Sequence, residues 1–235
     1  EYAHVIVTTG GAQIVKKILE LCAEGAELHR LIEPNEVVYE MMIGEGAAGK
    51  VWRGMLGNQG VAIKTFNRDG LSFAEKELFT EAALMSLLHH PNVCFCIGAN
   101  LQAAAPFIVS PLFSRGSLAT LIESGASAHL PATVLHRMAY DAACGLEYLH
   151  QAGVIHRDIK PGNFLVSDDF TVCITDFGTC RSTNRRIGAM MTKAIGTPVY
   201  MAPEVYDGVD YTEKADVYSF GMTLFELFEG KQPFQ

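Results

Sequence analysis

The stretch VIHRDIKPGNFLV, residues 154–166, followed by TDFG at 175–178, decides how this chain of 235 residues is read. It is a polar loop leading into two short strand-like runs, NFLVS (163–167) and TVCIT (171–175). Upstream, PATVLHRMAYDAACGLEYLHQAG (131–153) carries a helix that begins with Pro131 near its first turn and stops at Gly153. Downstream, KADVYSFGMTLFELFEG (214–230) reads as an apolar, buried helix. Before Gly116 the texture changes. VVYEMMIGEG (37–46), KVWRGMLG (50–57) and GVAIKTFN (60–67) are β-rich runs separated by Gly and Asn, as in an antiparallel meander. FAEKELFTEAALMSLLHH (73–90), stopped by Pro91, sets Leu78, Ala82 and Met85 at helical spacing with Glu81 on the flank. VCFCIGA (93–99) and PFIVS (106–110) add two more short apolar runs. The expected fold class is α+β. A small lobe of five strands and one helix precedes a larger, mainly helical lobe, with a cleft between them.

Composition removes several classes of function. With 49% hydrophobic and 19% charged residues the chain has the material for a globular core. Eighteen Lys+Arg against 26 Asp+Glu give a net charge of −8, which argues against a broad basic surface for nucleic acid. Six scattered cysteines are too few for a disulfide scaffold, and Cys94-x-Cys96 lacks the second ligand pair of a zinc site. A reducing, cytoplasmic setting fits them. No run approaches 18 consecutive apolar residues, so no membrane span is expected. Residues 1–36 read as a flanking segment with one amphipathic helix pattern, in which Ile14, Ile18, Leu21 and Cys22 share a face and Pro34 ends the run. The first residue is Glu1, with no signal-peptide pattern after it, so the chain is expected to be a piece of something longer.

Chemistry concentrates in three places. Gly44, Gly46 and Gly49 are spaced G-x-G-x-x-G and followed by Lys50 and Val51. Glycines let backbone amides approach a phosphate. A dinucleotide fold or a phosphate loop would need a helix next, whereas KVWRGML is strand-like. A glycine flap over a nucleotide and a hairpin without ligand both remain open on this motif alone. Lys64 ends VAIK inside an apolar strand, where an unpaired ammonium is costly, and Glu81 on the helix is its natural partner. In the third place, Asn163 follows Asp158 by five residues, and Asp176 follows Asn163 by thirteen. Phosphoryl transfer needs metal ions on the phosphates, a carboxylate at the incoming hydroxyl and cations on the developing charge. Asp158 suits the hydroxyl, Lys160 the transferred phosphate, and Asn163 with Asp176 a hard cation. His156 is read as support for the loop.

Taken together and in this order, the motifs resemble those of the eukaryotic protein kinases, from about Val37 to Phe234. The glycine loop, VAIK, the helix Glu, HRDIKPGN and DFG are followed by GTPVYMAPE (196–204) and by DVYSFG from Asp216. The resemblance implies a kinase domain over 37–235, with an N-lobe of about 37–113 and a C-lobe of about 114–235. It implies transfer of the ATP γ-phosphate to protein substrates, with Mg2+ or alternatively Mn2+ as the metal. Lys160 and Thr197 are similar to the serine/threonine-specific pattern. HHPNVCFCIGAN and DVYSFGMTLFEL resemble the tyrosine-kinase-like branch, which includes the mixed-lineage and Raf-type kinases. By alignment on Gly116-Ser117-Leu118, Ser110 falls at the gatekeeper position and Pro111, Leu112 and Phe113 at the hinge. The backbone of Pro111 and Phe113 is then expected to hold adenine, sandwiched by Val51, Ala62 and Leu165.

Further expectations come from the resemblance. Arg157 is read as a buried cation that seeks an anion. Ser182, Thr183 and Thr192 are candidate phosphorylation sites for an upstream activating kinase, Thr192 foremost, and Thr197 lies in the same regulatory stretch. Kinases continue past the large buried helix with further helices, one of which supplies an Arg to the glutamate equivalent to Glu204. The chain is therefore expected to be C-terminally truncated, with Glu204 unpaired and apolar surface exposed. Two alternatives stand beside the serine/threonine kinase: a pseudokinase scaffold that binds nucleotide without turnover, and a dual-specificity or tyrosine kinase.

Overall fold

Runs with period-two alternation form the first sheet. In the computed structural model the described residues are 30–46, 49–66, 74–102, 105–182, 197–209 and 211–234, with the backbone alone at 46, 74–80 and 181–182. Strands β1 (Val37–Gly46), β2 (Gly49–Leu56), β3 (Gln59–Thr65), β4 (Gly98–Asn100) and β5 (Phe107–Pro111) form an antiparallel sheet in the order β1-β2-β3-β5-β4. The register pairs Val51 with Lys64, and Ala62 with Ser110. Side-chain alternation then divides the sheet. Val61, Ile63, Phe107 and Val109 point to one face, where they bury with Ile32 and Val37. Val51, Ala62, Lys64 and Ser110 share the other.

Helix α1 (Ala74–Leu87) follows β3 and buries Ala82, Ala83, Leu84 and Met85. The apolar run 93–99 yields only the short β4. Its first half is drawn elsewhere, because Cys94 N donates to Ile174 O at 2.8 Å and Cys96 N to Met85 O at 2.9 Å. Cys94 is buried and Cys96 half-buried, as packing groups.

The second layer is helical. It comprises α2 (Leu118–Glu123), α3 (Ala132–Gln151), α4 (Pro203–Tyr206) and α5 (Lys214–Glu229). Short strands β6 (Val154–Ile155), β7 (Phe164–Val166), β8 (Val172–Ile174) and β9 (Arg181–Ser182) pair as β6·β9 and β7·β8. One core cluster joins α1, α3, β7 and β8 with Ile108 of β5, so it runs through both layers.

Two expectations need correction. The sequence 214–230 reads as an apolar, buried helix, yet Val217, Phe225 and Phe228 lie on an exposed stripe, where Phe228 meets the ring of His136 at 5.4 Å. Of residues 1–36, those at 1–29, including the amphipathic pattern, lie outside the described residues. Arg30–Ile32 is extended rather than helical, because its backbone pairs in parallel with the open edge of β4. No helix among the described residues is long and apolar enough to cross a membrane.

Candidate active site

The cleft lies between the Lys64 face of the sheet and the loop 156–163. Lys64 Nζ donates to Glu81 Oε1 at 2.7 Å and Oε2 at 2.8 Å, and to Asp176 Oδ1 at 2.9 Å. β3 brings the lysine, α1 the glutamate and the turn after β8 the aspartate. Burial by itself would lower the Lys64 pKa, but the two carboxylates outweigh it and hold the ammonium above its ordinary range. For Asp176 burial pulls upward, and Lys64, His156 and Lys160 together bring its carboxyl below the usual value. Both groups are thus charged at neutral pH.

Across the cleft, Lys160 Nζ lies 2.7 Å from Asp158 Oδ2 and donates to Thr197 Oγ1 at 3.1 Å. Asn163 Nδ2 donates to Asp158 O at 2.7 Å and to its Oδ2 at 3.1 Å. The Asn163 amide nitrogen is spent on this loop. Among the described residues its Oδ1 has no partner and no buried side-chain oxygen lacks one, so that oxygen is open to solvent. Asp176 likewise presents a second carboxylate oxygen beyond the one held by Lys64. Thr175 N donates to Asn163 O at 3.0 Å, which ties the backbone beside Asp176 to that of Asn163. This pair fits a small hard cation that completes its shell with phosphate oxygens and water.

The loop is held from beneath. Asp216, at the start of α5 and 1% exposed, accepts the backbone N–H of His156 (2.8 Å) and of Arg157 (2.8 Å). It also accepts from His150 Nε2 at 2.9 Å; a carboxylate only accepts, so that nitrogen carries the proton. His156 Nδ1 accepts from Asp158 N at 3.3 Å, which leaves its proton on Nε2, donated to Thr175 O at 2.9 Å. Arg157 and Asp176 both adopt left-handed backbone (φ 69° and 66°), a conformation costing about 1 kcal/mol for such residues. The bonds around Asp216 hold that strain at Arg157.

Residues 37–235 match the family described as the protein kinase domain. The chain belongs to the protein kinase family. A probable serine/threonine-protein kinase of Dictyostelium discoideum is 37% identical over 237 residues, covering 100% of this chain and 17% of the relative. The dual specificity protein kinase shkC of the same organism is 38% identical over 207 residues, covering 86% of this chain and 41% of its own length. A probable LIM domain-containing serine/threonine-protein kinase, also from Dictyostelium discoideum, is 36% identical over 219 residues, covering 92% and 33%. This kinase therefore spans less than half the length of these relatives.

Other expected site residues are placed unevenly in the kinase. Gly44 and Gly46 lie at the end of β1, where Gly44 faces Val51 and Gly46 pairs with Gly49. Gly49 adopts φ +140°, and a β-carbon there would stand 2.0 Å from Thr65 O, so no side chain fits. Ser110, Pro111 and Phe113 follow one another along and just beyond β5, and Leu165 sits half-buried on β7. Pro111 keeps its carbonyl as an acceptor, and Phe113 O is taken by Gly116 N at 3.1 Å. Arg157 is only partly buried and already partnered: Nε donates to Thr179 O (2.6 Å) and Nη1 to Tyr211 OH (3.2 Å). Thr197 sits beside Lys160, whose ammonium also pairs with Asp158 in the loop 156–163. Ser182 pairs through its backbone with Val154, while Thr183 and Thr192 lie outside the described residues. Glu204 has no ion pair among the described residues.

Sequence reasoning gave Asp216 no role beyond a motif letter, and it missed Tyr211 and Thr179. An aspartate heading an otherwise apolar helix was the available signal for Asp216. Nothing local marked the other two.

Proposed function

We propose that this chain is the catalytic domain of a serine/threonine kinase, transferring the γ-phosphate of ATP to hydroxyls of protein substrates. The observation that carries the reading is the single ammonium of Lys64 bridging Glu81 and Asp176 across the cleft. That arrangement aims one cation at the phosphates from the sheet side, while Asn163 Oδ1 and Asp176 offer oxygen to a divalent ion, Mg2+ or Mn2+. When bound, that ion neutralises charge on the phosphates. Asp158 orients the acceptor hydroxyl and accepts its proton; Lys160, anchored by Asp158 and Thr197, faces the transferred group. Val51, Ala62 and Leu165 contact adenine, with the Pro111 carbonyl and Phe113 N–H at its edge.

Lys160 with Thr197, and the likeness to probable serine/threonine-protein kinases, support serine and threonine as acceptors. The name of shkC supports a second reading, in which tyrosine is also accepted. The motif set supports the tyrosine-kinase-like branch and an upstream kinase acting on Thr192, and the scattered cysteines support a reducing, cytoplasmic site of action. The test is an assay of the full chain with labelled ATP, metal ion and generic protein acceptors, followed by phosphoamino-acid analysis. Asp158→Asn is expected to cut turnover about 100-fold or more while ATP still binds. Undiminished turnover in that variant refutes the chemistry, and phosphotyrosine in the product selects the second reading.

A further inference from the structure

Residues Arg30–Ile32 precede the span that matches the kinase domain, yet they are built into its sheet. Ile32 N donates to Ala99 O at 3.1 Å and Ala99 N to Arg30 O at 2.9 Å, a parallel rung on the outer edge of β4. Asn100 Nδ2 donates to Ile32 O at 3.1 Å. Arg30 reaches forward to Glu36 at 3.0 Å, and Glu36 also caps Glu33 N at 2.8 Å, closing the turn into β1. The edge is shaped for this segment. A β-carbon at Gly98 would stand 2.6 Å from Arg30 O and 2.6 Å from Ile32 Cδ1, so any larger residue there displaces the rung.

Ile32 is 0% exposed and packs with Val61 and Ile63 of β3 and with Phe107 and Val109 of β5. Those four alternate along the same two strands with Ala62, Lys64, Ile108 and Ser110. The side chain therefore sits directly behind the two strands whose opposite face carries the phosphate-facing lysine and the gatekeeper position. We infer that Ile32 is a positioning residue for the nucleotide: it is a plug, latched to β4, that fixes the depth and pitch of β3 and β5 against the cleft. The inference rests on the reading that this cleft takes ATP. It extends the working unit of the small lobe upstream of Val37.

The test compares the full 235-residue chain with Ile32→Ala, Ile32→Val and Met138→Ala, the last removing a large, fully buried side chain from α3 in the other cluster. ATP affinity in the presence of Mg2+ is measured by calorimetry, and amide exchange at Phe107, Val109 and Ser110 by mass spectrometry or NMR. Ile32→Ala is expected to weaken ATP binding several-fold and to speed exchange along β5. Ile32→Val should shift both in the same direction by less, and Met138→Ala neither. Unchanged affinity and unchanged exchange in folded Ile32→Ala overturn the inference, as do equal changes in Met138→Ala. Should Ile32→Ala not fold, Ile32→Val carries the same decision. A parent chain that fails to bind ATP sinks the nucleotide reading instead, and exchange along β5 still decides the plug.

Discussion

Lys64 concentrates the electrostatics of the cleft in one atom. Replacing it with Met removes the cation from between Glu81, which is 3% exposed, and Asp176, which is partly open to water. Turnover is expected to fall about 100-fold or more. Stability should fall too, because the buried carboxylate of Glu81 loses its ion pair with Lys64. Adding Glu81→Gln to Lys64→Met should restore much of the Tm but none of the activity; recovery of activity would show that the ammonium only served packing. The same pair sets a pH dependence. Asp176 has a depressed pKa, so its contribution is complete above the ordinary carboxylate value near about 4 and fades as pH falls through the folded value. Lys64 has a raised pKa, so its contribution is complete below about 10.4 and fades as pH rises beyond. The Tm should therefore be flat with respect to these two groups between about pH 5 and 10, and Asp176→Asn should flatten the acid limb. An acid limb identical in that variant assigns the loss to other carboxylates. The Lys64–Glu81 contact was legible in the sequence because an ammonium inside an apolar strand demands a carboxylate. Partners of Arg157 were not, since a carbonyl at Thr179 and a phenol at Tyr211 leave no pattern of charge to read.

Among the elements, α5 does more than fill the core. Its first turn carries Asp216, which gathers two loop N–H groups and His150, and thereby fixes the left-handed step at Arg157. Asp216→Ala strands those donors, at about 1–3 kcal/mol for each that water cannot reach. Loss of stability by about 3 kcal/mol or more, together with loss of turnover, is expected in urea titration and assay. A stable variant with full activity would mean that the loop holds itself. Helix α3 makes a comparable demand by close approach. A β-carbon at Gly145 would lie 2.4 Å from Asn92 O, in the connection that follows α1. Gly145→Ala should cost about 1–3 kcal/mol through the forced shift, against the small gain that alanine brings to an open helix. A Tm at or above that of the parent would show that the connection yields freely. Helical period and stop signals made α3 and α5 readable, including the halt at Gly153, which adopts φ 74°. Which residues of α5 stay exposed was not readable, because apolar residues on several faces of a helix do not say which face finds a neighbour. The short β4 was equally hidden: the run 93–97 has strand composition, but the amides of Cys94 and Cys96 are claimed by β8 and by α1.

At the scale of the molecule, two apolar clusters divide the work unequally. The larger runs from α1 through Ile108 and Phe177 into α3, β7 and β8, so the helical layer and the back of the cleft share one core. The smaller lies above the sheet and is closed by Ile32 and Val37. The order of strand-rich and helical halves was open to a reader of the sequence. The division of the core was not, because it depends on which face of each strand meets which partner, and Ile32 falls in a segment whose pattern had read as helix. Unequal clusters predict unequal local stability, since opening costs scale with the apolar surface released. The chain has a single tryptophan, Trp52, and it reports on the smaller cluster: its ring lies edge-on to Tyr39 at 5.9 Å, and its Nε1 donates to Thr65 Oγ1 at 3.2 Å. In a urea titration the Trp52 fluorescence is therefore expected to change at a lower midpoint than the far-ultraviolet circular dichroism, which is dominated by α3 and α5. ATP with Mg2+ should close the gap, because a ligand held between Lys64 and the loop at Asp158 ties the sheet to the larger core and stabilises both by mass action. Coincident transitions without nucleotide would mean that the contact through Ile108 and α1 already makes the two clusters one cooperative unit.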